Sequence, residues 1–149
     1  MNEAIIKPFS IDQTQDVITL LQAQLDEHSI DSSSDALTGV LRTLSEQPQY
    51  GFILTAVCGG SLVGVAYVST LLSLEHGGWS GWLEEFYVLP EYRGRGLGTQ
   101  LLTAAITAAT ERGFAALDLE VDTGHQRVVS LYVRHGFTPV HRTRHVRRA

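Results

Sequence analysis

The stretch Tyr92-Arg93-Gly94-Arg95-Gly96-Leu97-Gly98 threads two arginines through three glycines placed at every second position. Glycine frees φ and removes Cβ, so a ligand can approach the main chain closely. N–H groups at the start of a following helix then favour an anion. Arg93 and Arg95 add positive charge to a chain whose net charge is -5. A plain strand-to-helix turn needs one glycine, and each extra one costs about 0.5–1 kcal/mol relative to Ala in a regular element. The stretch therefore reads as an anion cradle. A dinucleotide fingerprint requires G-x-G-x-x-G, whereas Gly94, Gly96 and Gly98 give G-x-G-x-G, so the spacing disfavours that reading. The Walker pattern is absent.

The elements that must position this stretch follow from periodicity. Ile5 to Phe9 reads as a strand. Asp12 is placed to cap a helix, with Gln15 as partner and Val17, Ile18, Leu21 and Leu25 as its apolar stripe. After the polar stretch 26–33, Ser34 caps a second helix carrying Leu37, Val40, Leu41 and Leu44, closed by Pro48. Gly51 to Cys58 and Leu62 to Thr70 are strands joined by the Gly59-Gly60 turn. Leu71 to Gly81 reads as a loop, and Trp82 to Leu89 as a strand ended by Pro90. Leu101, Leu102, Ala105, Ile106 and Ala109 share one helix face, with Gly113 as its C-cap. Ala115 to Val121 is a strand, Val128 to His135 a helix, and Phe137 to Val146 a last strand. The order β-α-α-β-β-β-α-β-α-β is an α/β fold with a mixed, mostly antiparallel sheet. Its central strand–helix–strand crossover, Trp82 to Val121, makes a parallel pair.

The 149 residues suit a single domain, 1–149. The chain has 44% hydrophobic and 18% charged residues, as soluble globular domains do. No apolar run reaches membrane-spanning length and the N-terminus does not read as a signal peptide, so a cytoplasmic protein with no membrane partner is expected. The acidic balance argues against general nucleic-acid binding. Cys58 is the one cysteine, which excludes an internal disulfide or cysteine metal site. His141 and His145 would lie about 13 Å apart on a strand, so no metal is expected.

Arg93-Gly94-Arg95-Gly96-Leu97-Gly98 resembles the R/Q-x-x-G-x-G/A signature of the GNAT superfamily, the acyl-CoA-dependent N-acetyltransferases. Its neighbours are similar too. Leu83-Glu84-Glu85-Phe86-Tyr87-Val88-Leu89-Pro90 looks like the family's fourth strand, and Leu131-Tyr132-Val133-Arg134-His135-Gly136-Phe137 resembles its L-Y-x-x-x-G-F segment. His125 and Val128 stand where many members have Asn and Ala.

The resemblance implies acetyl-CoA as cosubstrate, with its pyrophosphate on the amides of Arg93 to Gly98 and Thr99 beside them. The pantetheine arm would run between the strand Phe86-Tyr87-Val88 and the segment 117–121, near His125. Backbone groups of Phe86 and Val88 would hold it, and one N–H would polarise the thioester carbonyl.

An amine acceptor is also implied. A primary amine near pKa 10 is only about 0.1% neutral at pH 7, a deficit of about 4 kcal/mol that a general base must offset. Glu84 and Glu85 are the candidates, and resemblance to diamine-type members favours Glu84. Tyr132 is the candidate acid for the departing thiolate. A small cationic acceptor is the leading expectation. A protein or peptide amine and a non-catalytic acyl-CoA sensor are the alternatives. Glu75, His76, Trp79 and Trp82 are candidates to line the acceptor pocket. The basic run His141 to Arg148 is a solvated end or a contact for an acidic partner or second subunit, giving a homodimer.

Overall fold

The computed structural model describes residues 3–28, 30, 32–122 and 126–149. Strand β1 (Ala4–Pro8) leads to helices α1 (Thr14–Glu27) and α2 (Ser34–Glu46). Strands β2 (Gly51–Cys58), β3 (Ser61–Ser73) and β4 (Gly78–Val88) form a meander. Helix α3 (Leu97–Glu111) crosses to β5 (Leu117–Leu119), and the short α4 (Val129–Arg134) follows. The five strands lie in the order β1-β2-β3-β4-β5. Every pair is antiparallel except β4–β5, which is parallel. The sheet is therefore mixed and mostly antiparallel, with the expected crossover at its centre.

Strand alternation divides the core into two layers. Leu54, Ala66, Val68, Leu83 and Val88 face α3 and α4, where Leu97, Leu101, Leu102, Ala105 and Tyr132 meet them. Ile53, Val65 and Tyr87 face the opposite way and pack on Val17, Ile18 and Leu21 of α1 and Leu41 and Leu44 of α2. The α3 side is called face 1 and the α1/α2 side face 2. Among the described residues no helix is long and apolar enough to cross a membrane.

Four sequence expectations move. The first helix begins with a 3-10 turn at Ile11–Gln13 whose cap is Ser10, not Asp12; the Ser10 N–H donates to Gln13 Oε1 at 3.0 Å. In α2 the Ala36 N–H donates to Ser33 Oγ, so Ser33 caps it one residue earlier than expected.

The loop expected over Leu71 to Gly81 is mostly strand. Leu71 pairs with Ser80, Leu72 with Trp79 and Ser73 with Gly78, leaving a tight turn at 74–77. Gly77, with φ of 72°, makes the turn, whereas Gly81 serves close packing. A Cβ on Gly81 would lie 2.7 Å from Val68 Cγ1, 2.9 Å from Leu117 Cδ1 and 3.0 Å from Phe114 Cδ2.

The last strand expected over Phe137 to Val146 does not form, and residues 138–149 are irregular and exposed. Pro139 removes a donor, and the run alternates little. Its arginines turn outward to carboxylates on the body, Arg142 to Glu75 and Arg144 to Glu120.

Gly81→Ala is expected to lower stability by about 1–3 kcal/mol, read as a fall in Tm, because three packed side chains must shift to admit one methyl.

Candidate active site

The β3–β4 register slips by one residue between Tyr67 and Val68, so Tyr67 pairs with Glu85 and Val68 with Leu83. Glu84 is the extra residue of a β-bulge. Simple alternation would send Glu84 and Glu85 to opposite faces. The bulge offsets that alternation, and both carboxylates act on the same phenol. Burial and the charges of Glu84 and Glu85 push Tyr67 up to about 12. Burial, with a smaller contribution from Glu84, pushes Glu85 up to about 7. Glu84 lies at the surface, yet the protein atoms around it still raise its carboxyl, while Arg144 partly opposes the rise. The bulge thus sets a carboxyl poised near neutrality beside an ordinary surface one.

Beyond Leu83 the central strand loses its neighbour. Only Gly81, Trp82 and Leu83 pair with β5, whereas β4 runs on to Val88. The Leu89 N–H donates to Val63 O on β3, and Tyr87 and Glu85 share that register. By the antiparallel pattern, the main-chain groups of Phe86 and Val88 therefore point away from β3, into the gap left by β5. Val88 O accepts from Arg93 Nε at 2.7 Å. Phe86 and Val88 thus turn main-chain groups toward an open edge, with Val88 O taken by Arg93.

The glycine stretch closes one end of this gap. Gly94 and Gly96 have φ of 77° and 79°, the left-handed region that favours glycine. A Cβ on either would meet nothing within 4 Å, so backbone conformation and not packing selects glycine there. Gly96 is the N-cap of α3 and contributes no side-chain bond, and the first turn holds no acid. The orphan N–H groups of that turn, from Leu97 to Thr99, and its positive dipole end are left to an anion. Leu97 itself is buried and anchors the helix to the core. Gly98 needs neither a positive φ nor the space, since its Cβ would sit 3.7 Å from Leu131 Cδ2. These features fit a diphosphate.

The two arginines do different work. Arg93 is turned inward. It stands over the Tyr87 ring at 5.2 Å, with its Nη2 3.4 Å from Glu27 Oε1. Arg95 is exposed, its guanidinium 5.5 Å from the Tyr92 ring centroid. Tyr87 belongs to face 2, where its hydroxyl donates to Glu27 Oε1 at 2.9 Å. It supports the site from behind and does not line the gap.

Tyr132 approaches from face 1. Its ring packs edge-on against Phe86 at 6.2 Å and Phe137 at 5.8 Å. Burial pushes the phenol up to about 12. Tyr132 as a whole is 8% exposed, within the face 1 core. His125 lies outside the described residues.

Two residues escaped the sequence reading. Glu27 ends α1 and ties Tyr87 and Arg93 together; the stripe through Val17, Leu21 and Gln24 points to it at helical spacing. Tyr67 faces Glu85 across the sheet, a pairing hidden while 71–81 was read as a loop. Beside Glu27, His28 Nδ1 lies 2.6 Å from Asp122 Oδ2, which ties α1 to the segment after β5.

A model of the acetyltransferase (GNAT) family matches residues 15–137. The chain belongs to the GNAT family. Among its GNAT relatives, a mycothiol acetyltransferase of Propionibacterium freudenreichii is 38% identical over 93 residues, which are 60% of this chain and 28% of that protein. An aminoalkylphosphonate N-acetyltransferase of Salmonella typhimurium is 30% identical over 86 residues, 58% of this chain and 56% of the relative. The chain spans little more than half the length of these relatives, or less. An aminoglycoside N-acetyltransferase solved with CoA superposes with a TM-score of 0.84 at 19% identity, covering 99% of this chain and 96% of that one. It shares the GNAT fold.

Gly98→Ala separates fold from ligand. The added methyl should raise helix stability by up to about 0.5–1 kcal/mol, seen as a higher Tm. Calorimetry on the same variant should show CoA binding retained, since the R/Q-x-x-G-x-G/A signature admits Ala at this position.

Proposed function

We propose that this chain transfers an acetyl group from acetyl-CoA to the primary amine of a small cationic acceptor by direct transfer. One observation carries the reading. An anion cradle and an open strand edge meet beside a half-buried carboxyl held near pKa 7. Amides of Gly94 to Thr99 would hold the diphosphate, and Arg93 would brace the loop through Val88 and Glu27. Phe86 and Val88 would hold the arm along the β4 edge.

The acceptor enters on face 2. Glu85 is favoured over Glu84 as the base. A carboxyl near 7 is half ionised at neutral pH and still basic enough to relieve an ammonium of its proton. Glu84, more exposed, adds negative charge that attracts the cation. Tyr132 serves from face 1. A phenol near 12 stays protonated throughout the neutral range. Handing its proton fully to a thiolate of pKa about 8.5 would cost about 5 kcal/mol. Tyr132 therefore donates a hydrogen bond to the departing sulfur as charge builds there. Base and donor thus flank the reacting carbon from opposite faces of the sheet. Proposed likewise are the cytoplasm as its place and residues 1–149 as one folded unit.

Acetyl-CoA turnover with a primary amine tests this. kcat/KM should rise with pH through about 7 as Glu85 ionises, and Glu85→Gln should remove that limb and cut the rate about 10²–10⁴-fold. Loss of neither sinks the assignment. Because folding raises this carboxyl's pKa, its stability contribution is present below about 4.5 and is lost as pH rises through 7. Glu85→Gln should therefore melt higher than the parent at pH 8.

Tyr132→Phe should lower kcat at least about 10-fold while acetyl-CoA affinity and Tm change little. An unchanged kcat would remove Tyr132 from the chemistry.

A further inference from the structure

Face 2 is covered by α1 and α2 only over part of the sheet. Ser80 and Trp82 share this face, since Gly81 between them points into face 1. Asp118 pairs with Trp82 and lies beside it. Glu120 follows two residues on, and Glu75 and His76 come from the β3–β4 turn. His76 Nε2 is 2.8 Å from Asp118 Oδ2. The result is an acidic rim with an indole at its floor. Ser80 Oγ, fully buried on that face, has no partner.

Segment 138–149 crosses this rim. Arg142 forks onto Glu75, with Nη1 3.0 Å from Oε2 and Nη2 2.8 Å from Oε1. Arg144 Nη1 donates to Glu120 Oε2 at 3.2 Å, and its guanidinium stands 6.0 Å from the Trp82 ring centroid. Among the described residues, the hydrogen bonds and ion pairs tying the segment to the body run through these two arginines. Both are mostly exposed, at 68% and 63% of side-chain surface. Exposed pairs hold weakly, so the segment opens readily. The Arg144 charge also opposes the rise at Glu84, the chain neighbour of the proposed base.

We propose that Glu75, Glu120 and the Trp82 face form a cation subsite beside the acceptor amine, and that Arg142 and Arg144 are its resident competitors. An acceptor bearing a second cationic group displaces them; one with a single amine does not. The proposal rests on the acceptor reading given above. The guanidinium fork on a carboxylate and the cation over an indole show the kind of group the rim accepts.

The test uses the full chain, saturating acetyl-CoA and two acceptors that differ only in distal charge, 1,5-diaminopentane and 1-aminopentane. The double variant Arg142→Ala/Arg144→Ala should lower KM for the diamine roughly 2- to 30-fold and leave the monoamine unchanged. Glu75→Gln/Glu120→Gln should raise KM for the diamine alone. Equal changes for both amines, or none, overturn the subsite. A second readout needs no turnover. Without acetyl-CoA, diaminopentane should speed tryptic cleavage after Arg142, followed by mass spectrometry, while aminopentane should not. Cleavage indifferent to the diamine overturns displacement even in an active enzyme. Faster cleavage in a chain that acetylates neither amine upholds the subsite and removes the transferase reading instead.

Discussion

The fold turns on a pairing that stops early. β4 and β5 share three residues, and then the central strand continues alone. Main-chain groups at a strand edge demand partners, and burying them without any costs on the order of 1–3 kcal/mol each. Among the described residues, that demand is answered where Arg93 caps Val88 O. The rest of the edge stays open between two packed layers. On the proposed reading, the glycine loop, the raised carboxyl and the buried phenol stand around this opening. Their positions follow from where β5 ends.

The two faces of the sheet divide the chemistry. Face 1 is the drier layer, and it holds Tyr132 protonated by burying it against Phe86 and Phe137. Face 2 carries the carboxylates, and the bulge there offsets the alternation that would have split them. One extra residue in β4 therefore converts a through-sheet pair into neighbours. Their mutual repulsion then helps to hold Glu85 near neutrality.

Much of this was legible in the residues. Gly94, Gly96 and Gly98 announced the cradle because glycine at such density has few other uses. The amphipathic stripes of α1, α2 and α3 fixed the layers, since helical periodicity is a local property. What stayed hidden was non-local. The partner of Glu85 depends on β3–β4 register, and the glycines at 77, 78 and 81 disguised paired strand as loop. Gly81 reads as flexible in sequence but is a point of closest approach in space. Glu27 sat in the polar stretch 26–33, although it ends a helix and braces Tyr87 and Arg93. Phe137 to Val146 was expected to be a last strand, yet the partners of its arginines are side chains and not a ladder.

The brevity of β5 has a mechanical consequence. The portion of the chain from Leu117 through α4 is attached to the sheet by three residue pairs and by side-chain packing. Such a portion can open as a unit while the meander stays shut. A ligand laid along the β4 edge would bridge the meander to that portion, doing the work of the missing strand. On the proposed reading, acetyl-CoA is then a stitch as well as a substrate: while it is bound, the two parts of the molecule would breathe together, and each release of CoA would loosen the seam that admits the next.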